Sequence, residues 1–369
     1  MGDGPRAGSA ASAAPEAHRP GPAMRSAASA DDVAVAVINY NGRKWLPACL
    51  ASLRAQACPP AAVVLVDNAS TDDSLALVRA GFPEVRVLSM GRNTGYAGGA
   101  NAAIRHTVAP FLLLLNPDVV LTPGFLAELL RAARAHPGAG SFAGKLLRPE
   151  DGGRPIIDSA GHVLFRNRWA LNRGEGEPDT GQFDEPGEVF GVCGAAALYR
   201  RAMLEDIAVA GEAFAESFFL YLEDVDVDWR ARLRGWTAYY VPTAVARHVR
   251  AYRGAGRPRN PTILRHSLKN RYLMMIRNDA ARDLARDAWA ILPMEILRTL
   301  DFLVTTPRSL RGFIDLLRLV PAALEQRRLI QARVRVPRAA LRRWLRQYPY
   351  RARLVRRARL ALARRPSGD

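Results

Sequence analysis

Three short runs that are apolar from end to end, VAVAVI (33–38), VVLV (63–66) and FLLLL (111–115), constrain this chain more than any other feature. A fourth, VRVLSM (85–90), is similar in character. A strand with one face in water alternates polar and apolar residues. Runs without that alternation are covered on both faces. Helical patterns separate them: Trp45, Leu46, Leu50 and Leu53; Ser74 to Ala80; a Gly-rich turn opening a helix to about His106; and Pro123 to Ala135 after the last run. Strands and helices in this alternation predict an α/β fold with a mainly parallel sheet between helical layers.

Ligands of such sheets bind outside the carboxyl ends of the strands. Here each strand end is polar: NYNG, DNASTDDS, GRNTGYAGGAN and NPD. Downstream, residues 149–189 read as loops or a hairpin, GVCGAAALYRR (191–201) as a strand or helix start, and AYYVPTAVARHV (238–249) as one or two strands. Between them FFLYLEDVDVDWRARLRGW (218–236) runs a strand-like aromatic segment into four carboxylates, Glu223, Asp224, Asp226 and Asp228. Buried aromatics beside ionised acids are costly unless the acids are paired, hydrogen-bonded or held for chemistry. A plain amphipathic helix also fits: Val225, Trp229, Leu233 and Trp236 recur at helical spacing, with acids first, arginines last and Gly235 as the stop.

At 369 residues the chain can bury a large core. Its three cysteines, Cys49, Cys58 and Cys193, have neither metal-ligand nor disulfide spacing, which fits a reducing compartment. Residues 1–30 are rich in Ala, Gly, Pro and Ser, lack a signal-peptide core, and read as a disordered leader. The net charge of +18 is uneven, since residues 321–369 carry fifteen Arg against only Glu325 and Asp369. The basic character therefore belongs to the tail, which argues against a nucleic-acid binder.

Several strand-end residues have two readings each. Asp67, Asn68, Ser70, Thr71 and Asp72 suit the N–H edge of a pyrimidine and ribose hydroxyls, and equally Asx-turn and helix-cap chemistry. Gly95, Gly98 and Gly99 permit close backbone approach, with Arg92, Asn93 and Asn101 near a diphosphate or nucleoside, yet a tight turn into a helix explains them too. Asp118, just past Pro117, is placed either to hold Mg²⁺ or Mn²⁺ with substrate phosphates or simply as a turn acid. His248 is a second metal ligand or diphosphate donor only if the chain folds back on Asp118.

Taken together, VINYNG, VLVDNASTDDS, GRNTGYAGGAN, LLLLNPDV and FFLYLEDVDVDWRARLRG, in that order, resemble the family 2 inverting glycosyltransferases of GT-A fold, most of all their rhamnosyltransferase-type branch. The resemblance spans about residues 33–275. It implies a nucleotide-sugar donor (dTDP- or UDP-linked), a divalent metal (Mg²⁺ or Mn²⁺) and a hydroxyl acceptor on a lipid-linked glycan or cell-surface polysaccharide. By the same resemblance Asp67 reads the base, and Asn39, Tyr40 and Asn41 line the nucleoside pocket with Asn93 and Asn101 nearby; Asn68, Arg92 and Asn116 join them as expected nucleotide-sugar contacts. Asn116-Pro117-Asp118 replaces the Asp-x-Asp metal motif, leaving Asp118 and His248 as ligands. Asp224 is the implied catalytic base, with Glu223 and Arg230 as its supports. KNRYLMMIRN (269–278) resembles a segment found just after such catalytic domains. A non-catalytic nucleotide-sugar-binding scaffold with a degenerate transferase domain is the alternative.

The domain expectation is a leader over 1–30, a GT-A domain over 31–275 and a basic helical extension over 276–369. Within residues 289–320 the apolar character is punctuated by Pro293, Glu295, Arg298, Asp301, Pro307, Arg308 and Arg311, so no run reaches the roughly 18–20 residues that span a bilayer. Helices lying in the headgroup region fit better, with Leu341, Trp344, Leu345 and Tyr348 on one further helical face amid arginines. Packing of these helices on the catalytic domain or on a second copy is the competing reading. The expected location is the cytoplasm, peripherally on the inner face of the cell membrane.

Overall fold

A computed structural model describes residues 1–2, 32–151, 154–250 and 260–348. The leader, from residue 3 onward, and the tail beyond residue 348 lie outside the described residues.

The first half follows the periodicity. β1 (Val33–Asn39), α1 (Leu46–Arg54), β2 (Ala62–Asp67), α2 (Ser74–Gly81), β3 (Arg86–Ser89), α3 (Gly95–His106) and β4 (Phe111–Leu115) alternate along the chain. β1 pairs in parallel with β2 and β4, and β2 with β3. Every residue of β1 and β4 is buried, as strands without polar alternation require.

Beyond β4 the sheet becomes mixed. β5 (Val119–Leu121), α4 (Phe125–Ala135), β6 (Ala139–Asp151), β7 (Arg154–Ser159), β8 (His162–Phe165), β9 (Ala170–Asn172) and β10 (Gly187–Val189) precede β11 (Ala196–Arg200), α5 (Arg201–Ile207), α6 (Glu223–Arg234) and β12 (Thr237–His248). The main path of the sheet is β10-β12-β6-β11-β4-β1-β2-β3. β11 runs antiparallel to β4 and β6, whereas β12 is parallel to β6. The 238–249 segment is thus one strand, with its register broken between Val241 and Val245, where Pro242 has no N–H to give. β8 and β9 form a hairpin in a second, small sheet.

The FFLYL segment is not a strand. Glu216–Phe218 form a 3-10 turn, and Phe219, Tyr221 and Leu222 have φ of 62°, 70° and 66°. Aromatic density marked burial here (Phe218 is fully buried) but not extension.

The C-terminal part comprises α7 (Pro261–Asn278), α8 (Ala281–Thr305), α9 (Arg311–Ala332), α10 (Arg338–Arg342) and β13 (Leu345–Arg346). Leu273 and Met274 of α7 share an apolar cluster with Leu316, Ala323 and Ile330 of α9 and with Val225, Trp229 and Leu233 of α6. Among the described residues no helix is long and apolar enough to cross a membrane. The single helical face expected for Leu341, Trp344, Leu345 and Tyr348 does not form. Instead β13 pairs in parallel with Leu164 and Phe165, the Arg232 guanidinium lies 4.1 Å from the Trp344 ring, and Tyr348 packs edge-on to Phe165. A free edge of β8 supplies backbone partners that a solvated helix end would lack.

Candidate active site

The ends of β1, β2 and β4 open on one cavity of about 850 Å³, lined also by residues of α6, β8, β12 and α7. Its first wall is the strand-end polar cluster. Asn39 closes β1 and donates from Nδ2 to Asp67 Oδ1 at 2.8 Å and to Ser70 Oγ at 3.1 Å. Asp67 accepts in turn from the Ser70 hydroxyl (2.6 Å) and N–H (3.0 Å). Asn68 bonds the Gly95 carbonyl and the Thr94 hydroxyl, so the second strand end grips the start of α3. Asn39, Tyr40, Asn68 and Asn93 line the cavity.

The second wall carries Asn116, Pro117, Asp118 and His248. The β12–β5 pairing sets His248 against Val119, which brings its Nε2 to 3.4 Å from Asp118 Oδ1. The chain does fold back as that pair requires. His248 Nδ1 lies 2.8 Å from Oδ2 of Asp158, itself fully buried and bonded by Arg148 Nε at 2.6 Å and by Arg250. Burial works against charge on this histidine, yet Asp118 and Asp158 push its pKa up to about 9. Burial likewise opposes ionisation of Asp158, but His248 and the two guanidiniums hold its carboxyl below the usual range. An imidazole oriented through Nδ1 by a carboxylate, with Nε2 beside a second carboxylate, is the donor set that suits a divalent cation.

The third wall is the start of α6, whose four acids have four different environments. Asp224 is the most accessible, its side chain 16% exposed against 0% for Asp226 and Asp228. Its Oδ2 accepts from the Gly194 N–H at 3.0 Å and its Oδ1 from the Val225 N–H at 2.8 Å. Glu223 also lines the cavity but is buried, and its Oε2 has no hydrogen-bond partner among the described residues. Burial, reinforced by the neighbouring Asp224 charge, raises its pKa well above the ordinary glutamate value. Asp226 bonds Arg230, Arg277 and Asn278. Asp228 bonds His162 Nδ1 at 2.7 Å and the Val192 N–H at 3.1 Å.

Four other expected residues face elsewhere. Arg230, expected to support Asp224, is buried and donates to Asp226, Ile207 O and Ala213 O. At four residues' spacing it lies one turn beyond Asp226 rather than beside Asp224. Asn101 exchanges bonds with the backbone of Phe214 and reaches Glu216, which makes it a tie between α3 and the segment before α6. Asn41 accepts the Thr71 N–H at 2.8 Å across the turn, and Arg92 is exposed outside the cavity lining.

Sequence reasoning passed over His162, Cys193 and Gly194, which line the cavity at the Asp224 end, and Asn270. Asn270 Nδ2 donates to the carbonyls of Phe218 (2.9 Å), Leu220 (2.8 Å) and Tyr221 (2.6 Å), holding the loop that delivers Asp224. The KNRYLMMIRN resemblance marked that segment without indicating this task.

The sequence profile described as "Glycosyl transferase family 2" matches residues 34–208. An N-acetylglucosaminyl-diphospho-decaprenol L-rhamnosyltransferase of Mycobacterium tuberculosis is 30% identical over 270 residues, 66% of this chain and 84% of that protein. Among solved structures, S. aureus TarS in complex with UDP-GlcNAc superposes with a TM-score of 0.52 at 18% identity, over 82% of this chain and 84% of that one. GalNAc-T7 with UDP, GalNAc and Mn²⁺ does so at 0.51 and 14%, over 68% of this chain but only 48% of that one, so this chain spans about half its length. At such identities the two structures speak for the shared fold. With the profile, the relative and the strand-end cavity in agreement, the chain belongs to glycosyl transferase family 2 and has the GT-A fold.

Proposed function

We propose that the protein is an inverting glycosyltransferase that moves a sugar from a nucleoside diphosphate to a hydroxyl of a lipid-linked glycan. The observation that carries this reading is the single cavity onto which the Asn39–Asn68 wall, the Asp118–His248 pair and Asp224 all open. Rhamnose on dTDP as donor, and a polyprenyl-diphosphate-linked sugar as acceptor, rest on the similarity to the mycobacterial relative.

In this reading the Asn39, Tyr40 and Asn68 wall takes the nucleoside. Asp67, locked to Asn39 and Ser70, keeps that wall in shape and reads the base edge when those partners make room. Asp118 and, once its Nε2 proton is displaced, His248 would hold Mg²⁺ or Mn²⁺, and the bound cation would supply charge to neutralise the leaving diphosphate. Asp224 accepts the proton of the acceptor hydroxyl as its oxygen attacks the anomeric carbon. The bond to the diphosphate breaks on the opposite face, its electron pair leaving with the phosphate oxygen, so configuration inverts. Glu223, its pKa raised beside it, favours the protonated form, which has no charge to repel the base. Two carboxylates retained at the two motifs favour catalysis over a scaffold.

The membrane reading draws on α8, which is inside out. It buries Asp283, Asp287, Glu295 and Arg298 against the domain and exposes Trp289, Leu292, Ile296, Leu297, Leu300, Leu303 and Val304. Asp283 joins Arg286 and Arg342, Asp287 joins Arg168 and Arg286, and Glu295 joins Arg271 and Arg298. An apolar face held outward by buried ion pairs suits the headgroup region of a bilayer, where a lipid-linked acceptor resides.

Purified protein given dTDP-rhamnose, Mg²⁺ and a synthetic prenyl-diphosphate-linked N-acetylglucosamine should release dTDP only when the acceptor is present. Asp224→Asn should lower turnover at least about a hundredfold, and Asp118→Ala should remove the response to added metal. Wild-type turnover in both variants would overturn the assignment.

A further inference from the structure

One imidazole stands beside the proposed base with no part yet in the reaction. His162, the first residue of β8, is buried and lines the cavity at the Asp224 end. Its Nδ1 is 2.7 Å from Oδ2 of Asp228, and its Nε2 lies 3.5 Å from Oδ2 of Asp224. Asp224 and Asp228 are one helical turn apart on α6, so a single imidazole spans both. The GVCG loop (191–194) is shaped around the same group. The Gly191 carbonyl accepts the His162 N–H at 2.8 Å, and the N–H groups of Val192 and Gly194 bond Asp228 and Asp224. A Cβ on Gly191 would lie 1.7 Å from Asp228 Oδ2, so that carboxylate reaches His162 only because residue 191 has no side chain.

We propose that His162, clamped by Asp228, is the positioning residue of the reaction: its Nε2–H faces Asp224, fixing that carboxylate for the acceptor proton. This rests on Asp224 being the base. Burial opposes charge on this imidazole, yet Asp224 and the buried Asp228 on either side of it hold the His162 pKa well above the ordinary histidine value. The other titratable and charged groups that face this set are Glu223 from α6, Cys193 from the loop before β11, Tyr96 from α3, Tyr199 from β11, Arg232 of α6 through Asp228 and Lys269 of α7 through Glu223. Burial raises the pKa of Glu223 and of both tyrosines well above their ordinary values. The imidazolium is thus the cation in contact with Asp224. The competing role, a core histidine that merely satisfies Asp228, leaves the pH dependence of turnover unchanged when His162 is replaced.

His162→Gln removes the cation and keeps an amide of similar reach. Turnover should fall about tenfold with the donor KM unchanged, and the acid limb of the kcat–pH profile should move up by about one unit. Asp228→Asn should move it the same way by less, and serves if the glutamine variant does not fold. Titration of dTDP into each variant by calorimetry establishes that the donor wall is intact. In wild-type protein labelled with ¹⁵N-histidine, His162 should give imidazolium shifts at pH 7.5. A folded, dTDP-binding His162→Gln with the wild-type acid limb, or a neutral His162 at that pH, overturns the proposal. Asp224→Asn separates the two readings. If it stays active, the base assignment itself fails, whereas an inactive Asp224→Asn with an unmoved limb in His162→Gln sinks only the role of His162.

Discussion

Glu223, Asp224, Asp226 and Asp228 stand within six residues of one another, and only their surroundings distinguish them. Asp226 sits between Arg230 and Arg277, and Asp228 under His162, while Asp224 keeps access to the cavity. Glu223 is buried with an oxygen unpartnered among the described residues, and its native pKa lies above its unfolded value. The native state therefore binds that proton more tightly than the unfolded chain. Stability drawn from it is fully present below the unfolded value of about 4.3 and is lost as pH rises. Glu223→Gln should accordingly raise Tm at pH 8 by several degrees and leave it unchanged near pH 4. Thermal melts at the two pH values test this, and an equal shift at both would show that protonation plays no part.

At the scale of elements, the decisive piece is the loop that enters α6. Three non-glycine residues in the left-handed region, Phe219, Tyr221 and Leu222, cost about 1–3 kcal/mol each unless the surroundings enforce them. Enforcement comes from α7, where Asn270 bonds three carbonyls of the loop and Lys269 reaches those of Ser217 and Phe218. Gly95 at φ 71° completes it, because a Cβ there would lie 2.2 Å from the Phe219 carbonyl oxygen. Asn270→Ala should lower stability by about 2–4 kcal/mol, read from urea denaturation. It should also speed amide exchange over residues 219–224 and reduce turnover. Unchanged exchange there would show that the loop holds itself.

The whole molecule divides its surface unevenly. Among the described residues, eleven of the fourteen large exposed hydrophobics lie on α8 and α9. Their exposure, with Asp283, Asp287, Glu295 and Arg298 of α8 buried, runs against the usual amphipathic helix. Leu297→Asp together with Leu300→Asp should weaken binding of the full chain to phosphatidylglycerol vesicles about tenfold or more, while dTDP binding stays as in wild type. Co-sedimentation equal to wild type would place the lipid contact elsewhere.

Much of this was legible along the chain. The unbroken apolar runs required a sheet covered on both faces, and the polar residues closing each run required a site at its carboxyl edge; both are local properties that survive any tertiary detail. Asp118 and Asp224 were findable because each directly follows a buried segment. His162, Cys193 and Asn270 were not, since a lone histidine, cysteine or asparagine carries no periodicity. Arg230 and Asn101 were misjudged because spacing along a helix says which residues share a face, not what that face meets. The amino-acid sequence by itself determined the alternating α/β layers and the edge at which chemistry sits. Only the tertiary structure decided which acid is accessible, which has its pKa raised and which is paired, because burial and the placement of opposite charges depend on segments far apart in the chain.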